Sequence, residues 1–387
     1  MDRVDPKVDE AIETLNMKDG PSRRKLLKGT GLVSATAAAS ALLAACSSSS
    51  SPASAAAKDT AGNFPKVPAW QFWFVNHVTT NTFFTPTQYG FADAAAILDI
   101  PVPKWTGSTN SVASQMVAQI NAAVSAKAAG IATTLINSSS FTTPVGNAMS
   151  AGIPVLSYNA DGVVSKSGVP DIGCNRLAYV GQALFTSGQQ LGERIKSLTT
   201  PGEVAIFIET PGTANIQPRF DGANSILSPL GYKVAEITTT TVPATILANE
   251  KAYLLAHKSV KGAFAVDSTS TSFLAQALSE TGMSHLPNGG FDTVPQTLTN
   301  IKAGTTGFTI YQDPYLQGFL PTLYLYLYNI SGGTLVPSDT DTGLSFITKS
   351  NLTQYNVASR YQGSTTAQKY VPRPSGAISN PPATTST

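Results

Sequence analysis

Residues 289–320 read GGFDTVPQTLTNIKAGTTGFTIYQDPYLQGFL, and their reading decides the fold. Gly289-Gly290-Phe291 has the look of a strand that breaks at Asp292 into a Gly-permissive turn. Pro295 to Lys302 suits a short helix, and Phe308 to Tyr311 is the next strand. Strand, helix and strand in so short a span make an α/β unit. Asp292 and Gln312 then stand just beyond two strand tips. In open α/β sheets ligands bind in the crevice outside those tips, so an acid and an amide there are site candidates. The competing reading is that Asp292 caps the next helix and Gln312 makes a turn.

Working outward, Phe291-Asp292 followed by Thr309-Ile310-Tyr311-Gln312-Asp313-Pro314-Tyr315-Leu316-Gln317-Gly318 resembles the end of a periplasmic sugar-binding protein of the ribose-binding type. These are the type I solute receptors of ABC importers. The resemblance implies an α/β fold, a type I periplasmic binding protein with two Rossmann-like lobes, three hinge crossings and a ligand cleft between the lobes. It divides the chain into an N-terminal lobe of 67–180 plus 313–344 and a C-terminal lobe of 181–312 plus 345–362.

The segments between support that expectation. Trp70 to Val75 reads as a buried strand, followed by a polar loop and a helix from about Pro86 to Leu98. In the loop, Asn81-Thr82-Phe83-Phe84 resembles the Asn-x-Phe-Phe turn of these receptors, which implies an amide for sugar hydroxyls and rings for the apolar sugar faces. Phe83 and Phe84 could instead be core. Val112, Met116, Ile120 and Val124 recur every fourth residue and mark an amphipathic helix on a sheet. Gly130 to Ile136 and Ala151 to Tyr158 read as strands, the second arriving at Asn159-Ala160-Asp161-Gly162. Asn159 and Asp161 occupy the place where these receptors present an acid, often beside a cation. No Arg or Lys follows Asp161 directly, which argues against a pentose pose copied from the ribose receptor, and an Asx turn is the alternative.

Tyr179 to Gln182 reads as the first crossing, and a helix from Leu184 to Ser197 buries Leu184, Leu191 and Ile195, with Gly188 and Gly192 allowing close approach. The strand Glu203 to Ile208 leads to Gln217-Pro218-Arg219-Phe220-Asp221-Gly222, where the family carries an Arg at a helix head. Its planar fork suits paired hydroxyl oxygens, although an ion pair with Asp221 would also explain it. Ala263 to Val266 is a strand ending at Asp267-Ser268-Thr269, where many relatives of the resembled family have Asn-Asp, so the resemblance makes Asp267 a ligand-binding candidate. Gly343 to Thr348 reads as the last strand and third crossing.

The first 45 residues are an export signal rather than fold. A twin-arginine-like cluster, Ser22-Arg23-Arg24-Lys25-Leu26-Leu27-Lys28, precedes an Ala/Gly-rich apolar segment that closes on the lipobox Leu43-Ala44-Ala45-Cys46. Cys46 is thus the expected lipidated N-terminus, on a flexible tether over 46–66, and the tail 363–387 is expected to be loose.

Removing the leader leaves 18 basic against 17 acidic side chains, a near-neutral body unsuited to nucleic acid. Cys174 then has no intrachain partner and is expected to be a buried small apolar group. The three histidines, His77, His257 and His285, sit in no metal or cofactor motif, and there is no nucleophile elbow or phosphate loop. His77, near the expected cleft, is read as a loop residue fixed by backbone bonds.

The resulting expectation is a monomeric, non-enzymatic, membrane-tethered receptor that closes on a monosaccharide or polyol and delivers it to an ABC permease. The alternatives are a sugar or autoinducer receptor for a membrane sensor and, more weakly, an exported glycosidase using Asp161, Asp267 or Asp292.

Overall fold

A computed structural model describes residues 66–162, 174–355 and 360–364 of the chain. The arginine cluster, the lipobox with Cys46, the tether up to Pro65 and the tail beyond Ser364 lie outside the described residues.

The first half alternates strand and helix: β1 (Phe72–Asn76), α1 (Thr85–Leu98), β2 (Lys104–Gly107), α2 (Ala113–Ser125), β3 (Gly130–Leu135), α3 (Ser138–Ser150), β4 (Val155–Asp161) and β5 (Tyr179–Gly181). The chain then enters a second α/β layer through α4 (Leu184–Leu198), β6 (Glu203–Ile208), α5 (Gln217–Leu227), β7 (Lys233–Thr238), α6 (Pro243–Ala256), β8 (Ala263–Ala265), α7 (Ser268–Glu280), β9 (Asn288–Phe291), α8 (Pro295–Ala303) and β10 (Phe308–Tyr311). It returns through α9 (Leu316–Ile330) and β11 (Thr340–Asp341), and crosses once more to β12 (Ser345–Ile347) and α10 (Leu352–Tyr355). The first sheet has the order β11-β5-β4-β3-β1-β2, the second β12-β10-β9-β8-β6-β7. Every pairing is parallel except β10 with β12. The three passages between sheets follow β5, β10 and β11.

Parallel sheets covered by helices on both faces need strands that are apolar on both sides. In β6, Val204, Ile206 and Ile208 join one core with Phe220, Phe264, Phe308 and Phe346, while Ala205 and Phe207 join another with Leu254, Leu274 and Leu278. The first sheet is filled likewise, by Val75, Met116, Ile120, Phe141 and Cys174 on one face and Phe72, Leu156, Leu325 and Tyr326 on the other. Cys174 is buried, 3.9 Å from the Thr142 hydroxyl.

Several boundaries differ from the sequence expectation. β4 begins at Val155, because Ala151 to Ile153 bond back to α3 and Gly152 takes φ 76°. It continues through Asn159 to Asp161. Thr133 pairs with Ser157 but Leu135 pairs with Asp161, a bulge whose apex Asn159 has φ 62°. Val112 stands exposed as the cap of α2, so the buried stripe is Met116, Ile120 and Ala123. Leu184 is half-buried at the start of α4, and Trp70 precedes β1, packing edge-on against Tyr326.

Helices α4 and α5 meet backbone to backbone. A Cβ on Gly222 would stand 2.1 Å from the Phe185 carbonyl oxygen, and one on Gly188 would stand 2.1 Å from that of Arg219. This contact sets the height of Arg219 at the cleft. Gly222→Ala is expected to force the helices apart and destabilise by about 1–3 kcal/mol. Gly146→Ala, in a helix position with open space, should stabilise by about 0.5–1 kcal/mol. Urea denaturation of both variants checks the contrast.

Candidate functional site: a polar cleft between two lobes

The strand tips of both sheets converge where the chain crosses. Gln312, first residue after β10, donates from Nε2 to Asp292 Oδ1 at 2.7 Å. The side-chain amide of Gln317 donates to Gln312 and in turn accepts from Asn159 Nδ2 at 3.1 Å. Thr342, after β11, donates to the Gln312 carbonyl at 2.7 Å. Asn159, Gln317, Gln312 and Asp292 are all buried, so these bonds replace the water each would otherwise need.

Arg219 is buried beside them. Its guanidinium lies 4.2 Å from the Phe291 ring centre and donates to the Val266 carbonyl at 3.0 Å and to Gln182 Oε1 at 3.1 Å. The ion pair with Asp221 that would have explained Arg219 locally is not made, since Asp221 Oδ1 instead accepts from Gln217. Arg219 Nε has no hydrogen-bond partner. Burial pushes the Asp292 carboxyl up, against the opposing pull of Arg219 and Gln312.

On the first lobe, Asn81 caps the turn Thr82–Phe84 by accepting from Phe83 N at 2.9 Å. Phe83 and Phe84 are buried and meet edge to face at 4.8 Å, in a cluster with Phe74, Phe91 and Tyr158 against which Val294 of the second lobe packs. Asp161 has the cation that its immediate sequence lacks: Arg176, 15 residues on, holds both carboxylate oxygens and also reaches Asp339. Ser157 donates to the same carboxylate. Asp267 caps α7, accepting from Ser270 N at 2.7 Å and from Ser270 Oγ and Glu209 N at 3.0 Å each.

His77 has the backbone bond that its loop position suggests, its carbonyl accepting from Ser111 N at 2.8 Å, and its ring is held in addition by side chains. Nδ1 meets the Thr134 hydroxyl at 3.1 Å, and Nε2 meets Asn215 Nδ2 of the other lobe at 3.3 Å. Burial lowers its pKa to about 4, so the ring is neutral and Nε2 accepts from Asn215. Next to this pair Ala214 N donates to the Ile136 carbonyl at 2.9 Å, a second bond between lobes.

A cavity of 540 Å³ opens between the lobes. The first lobe lines it with Val78, Thr80, Asn81, Thr82, Thr109 and Asn110, the second with Glu209, Thr241, Pro243, Ser268, Thr269, Ser272 and Val294 to Gln296. Of the nine residues named from sequence, Asn81 lies in this wall. Asn159, Asp292 and Gln312 belong to one buried hydrogen-bonded network, Arg219 is buried nearby on Val266 and Gln182, Phe83 and Phe84 are in the aromatic cluster, and Asp161 and Asp267 are held by Arg176 and Ser270. Glu209 was missed, although it stands one residue past β6 and obeys the same strand-tip rule as Asp292. Burial and the neighbouring Asp267 and Asp292 carboxylates push Glu209 up to about 8, partly opposed by the Thr269 hydroxyl. Burial pushes Asp267 up as well, to about 6, but the Ser270 and Glu209 N–H donors hold it below Glu209, so of the two Asp267 ionises first.

Two α/β lobes with parallel sheets, three crossings and a polar cleft at the strand tips define a type I periplasmic binding protein. The chain belongs to the periplasmic binding protein domain family, whose pattern matches residues 72–329. It is 45% identical over 320 residues to the xylose/arabinose-binding protein XylF of Sulfolobus acidocaldarius, covering 80% of this chain and 78% of that protein. An ABC transporter solute-binding protein from Burkholderia graminis C4D1M, solved with D-arabinose, superposes with TM-score 0.67 at 27% identity, over 76% of this chain and 99% of the other. A carbohydrate transporter from Acidothermus cellulolyticus 11B, solved with myo-inositol, superposes with TM-score 0.67 at 22% identity, again over 76% and 99%. These relatives are transport receptors, not enzymes, which removes the glycosidase alternative. Among the described residues no helix is long and apolar enough to cross a membrane, and no cluster of three His, Cys, Asp or Glu could hold a metal.

From the ordinary carboxyl pKa of 4.5 up to about 8, the folded protein keeps a proton on Glu209 that the unfolded chain has released. Stability contributed by this group is therefore lost as pH rises through that window. Glu209→Gln is expected to flatten this part of the melting-temperature profile, which a pH series of thermal melts measures.

Proposed function

We propose that this chain is the substrate-binding lipoprotein of an ABC importer, acylated at Cys46, exported and monomeric, and that it captures an aldopentose such as xylose or arabinose. The observation that carries the reading is the hydrogen-bonded network across the crossings, in a chain 45% identical to a xylose/arabinose-binding protein. A pentose presents hydroxyls around a ring with apolar C–H faces. Asn159, Arg219, Asp292 and Gln312 supply the donors and acceptors, Asn81 caps the approach, and Phe83 and Phe84 cover an apolar face. Asp161 and Asp267 keep Arg176 and Ser270 and offer their remaining lone pairs. The cation that Arg176 brings to Asp161 supports the pentose reading, although it comes from 15 residues on and not from the position directly after Asp161. Lobe closure excludes water, each hydroxyl must then find a partner, and epimers become distinguishable. The tethered receptor would pass its cargo to the permease on reopening.

A thermal-shift screen of the mature chain against pentoses, hexoses, inositol and other polyols tests the reading. A pentose at about 100 times its dissociation constant should add roughly 2.7 kcal/mol of stability, and Asp292→Ala should abolish the shift. A response to a hexose or inositol alone would keep the receptor and overturn the pentose. No response to any carbohydrate would defeat the sugar reading.

Two further outcomes are expected. Cys46→Ser should move the protein from the membrane to the soluble fraction on cell fractionation. Asn215→Ala, which removes the partner of His77, should speed ligand release several-fold in stopped-flow measurements while leaving association nearly unchanged.

A further inference from the structure

Glu209 differs in kind from the rest of the cavity wall. Among the described residues that line the cavity it is the only one with an ionisable side chain; the others bring hydroxyls, amides or apolar groups. Two constraints fix it there. It follows the last residue of β6, and its own N–H donates to Asp267 Oδ2 at 3.0 Å. The loop it begins is also tied to the first lobe, through Ala214 on Ile136 and Asn215 on His77. Closing the lobes thus carries Glu209 to the cavity together with the ligand's other contacts.

We propose that Glu209 determines specificity in this cleft: as a neutral carboxylic acid it donates a hydrogen bond to an oxygen of the bound sugar or polyol, so that capture takes up a proton. This rests on the sugar-receptor reading above. The charged groups around it favour the neutral form. Asp267 at the start of α7 and Asp292 beyond β9 both disfavour a further negative charge, and Arg219 on α5, the cation that faces these two carboxylates, offsets only part of that. Glu250 on α6 is buried with neither carboxyl oxygen hydrogen-bonded, and burial together with Asp267 pushes it well up, so it too favours its neutral form. The first lobe's share of the wall, including Thr80, Asn81, Thr109 and Asn110, has no cation to offset them. A ligand that fills the cavity strips away the water an ionised Glu209 would need, and so binds the protonated form. A ligand bearing an ammonium group would do the reverse and draw out the anion.

Isothermal titration of the mature chain with D-xylose and D-arabinose, from roughly pH 5 to pH 9 and in buffers of different ionisation enthalpy, tests this. Kd should be constant at the acid end and rise toward about tenfold per pH unit at the alkaline end, with proton uptake on binding. Glu209→Gln, which keeps a donor and cannot ionise, should remove the slope. Glu209→Ala should weaken binding by about tenfold at acid pH. A Kd that ignores pH, the same slope in the Gln variant, or a Kd that falls as pH rises would each overturn the proposal while leaving the receptor intact. Failure of both sugars to bind at every pH would instead defeat the sugar reading itself, and this proposal with it.

Discussion

The bonds made by Gln312 and Gln182 hold the architecture together, because between them they tie all three crossings to buried polar groups. Gln312 belongs to the second crossing, and Thr342, which donates to its carbonyl, to the third. Gln182, on the first, accepts from Arg219 and donates from Nε2 to the Gly343 carbonyl at 3.2 Å. A buried amide left without a partner costs about 1–3 kcal/mol, so these groups must find one another whenever nothing else is present. The lobes are thereby held in register by the same atoms that face the cleft.

That arrangement makes the network a set of exchangeable partners. A ligand hydroxyl that replaces the Gln312 bond to Asp292 loses nothing if it restores both a donor and an acceptor, and a ligand lacking that hydroxyl strands a buried group. Arg219 is the clearest case. Its Nε already lacks a partner, while Val266 and Gln182 fix its plane, so one donor is free in a fixed orientation. The α4–α5 contact at Gly188 and Gly222 backs Arg219 from behind, since the two helix backbones already touch there.

Much of this was legible in the sequence, for reasons that local chemistry explains. Residues 289–320 gave the parallel unit because their strands are short apolar runs cut by Gly and Pro, and the strand-tip rule then found Asp292 and Gln312. The Asn81 turn was visible because Asn before a tight turn caps it with its own side chain. What could not be read depends on groups distant in sequence. Arg176 lies beyond a loop from Asp161, and Gln317 meets Asn159 across 158 positions. The bulge that turns Asn159 toward Gln317 comes from register with β3, which a single strand's pattern does not encode. The ring partner of His77, Asn215, sits on the other lobe and leaves no mark in the His77 loop. Glu209 is hidden for a different reason: it falls on no family motif, although its place after β6 satisfies the strand-tip rule.

The two ends of the cleft differ in how they answer to protons. At the contact between His77 and Asn215 both groups are neutral, and burial keeps the imidazole pKa near 4, so this latch holds unchanged through the mildly acid range and above. The bond from Ala214 to Ile136 carries no titratable group at all. The second lobe's wall is the opposite case, with Glu209 pressed by two carboxylates and Arg219 acting on those carboxylates rather than on Glu209. Any pH dependence of closure near neutrality must therefore come from the wall and not from the latch. A receptor built in this way can stay closed-competent over a broad pH range while its grip on the ligand follows the protonation of one carboxyl.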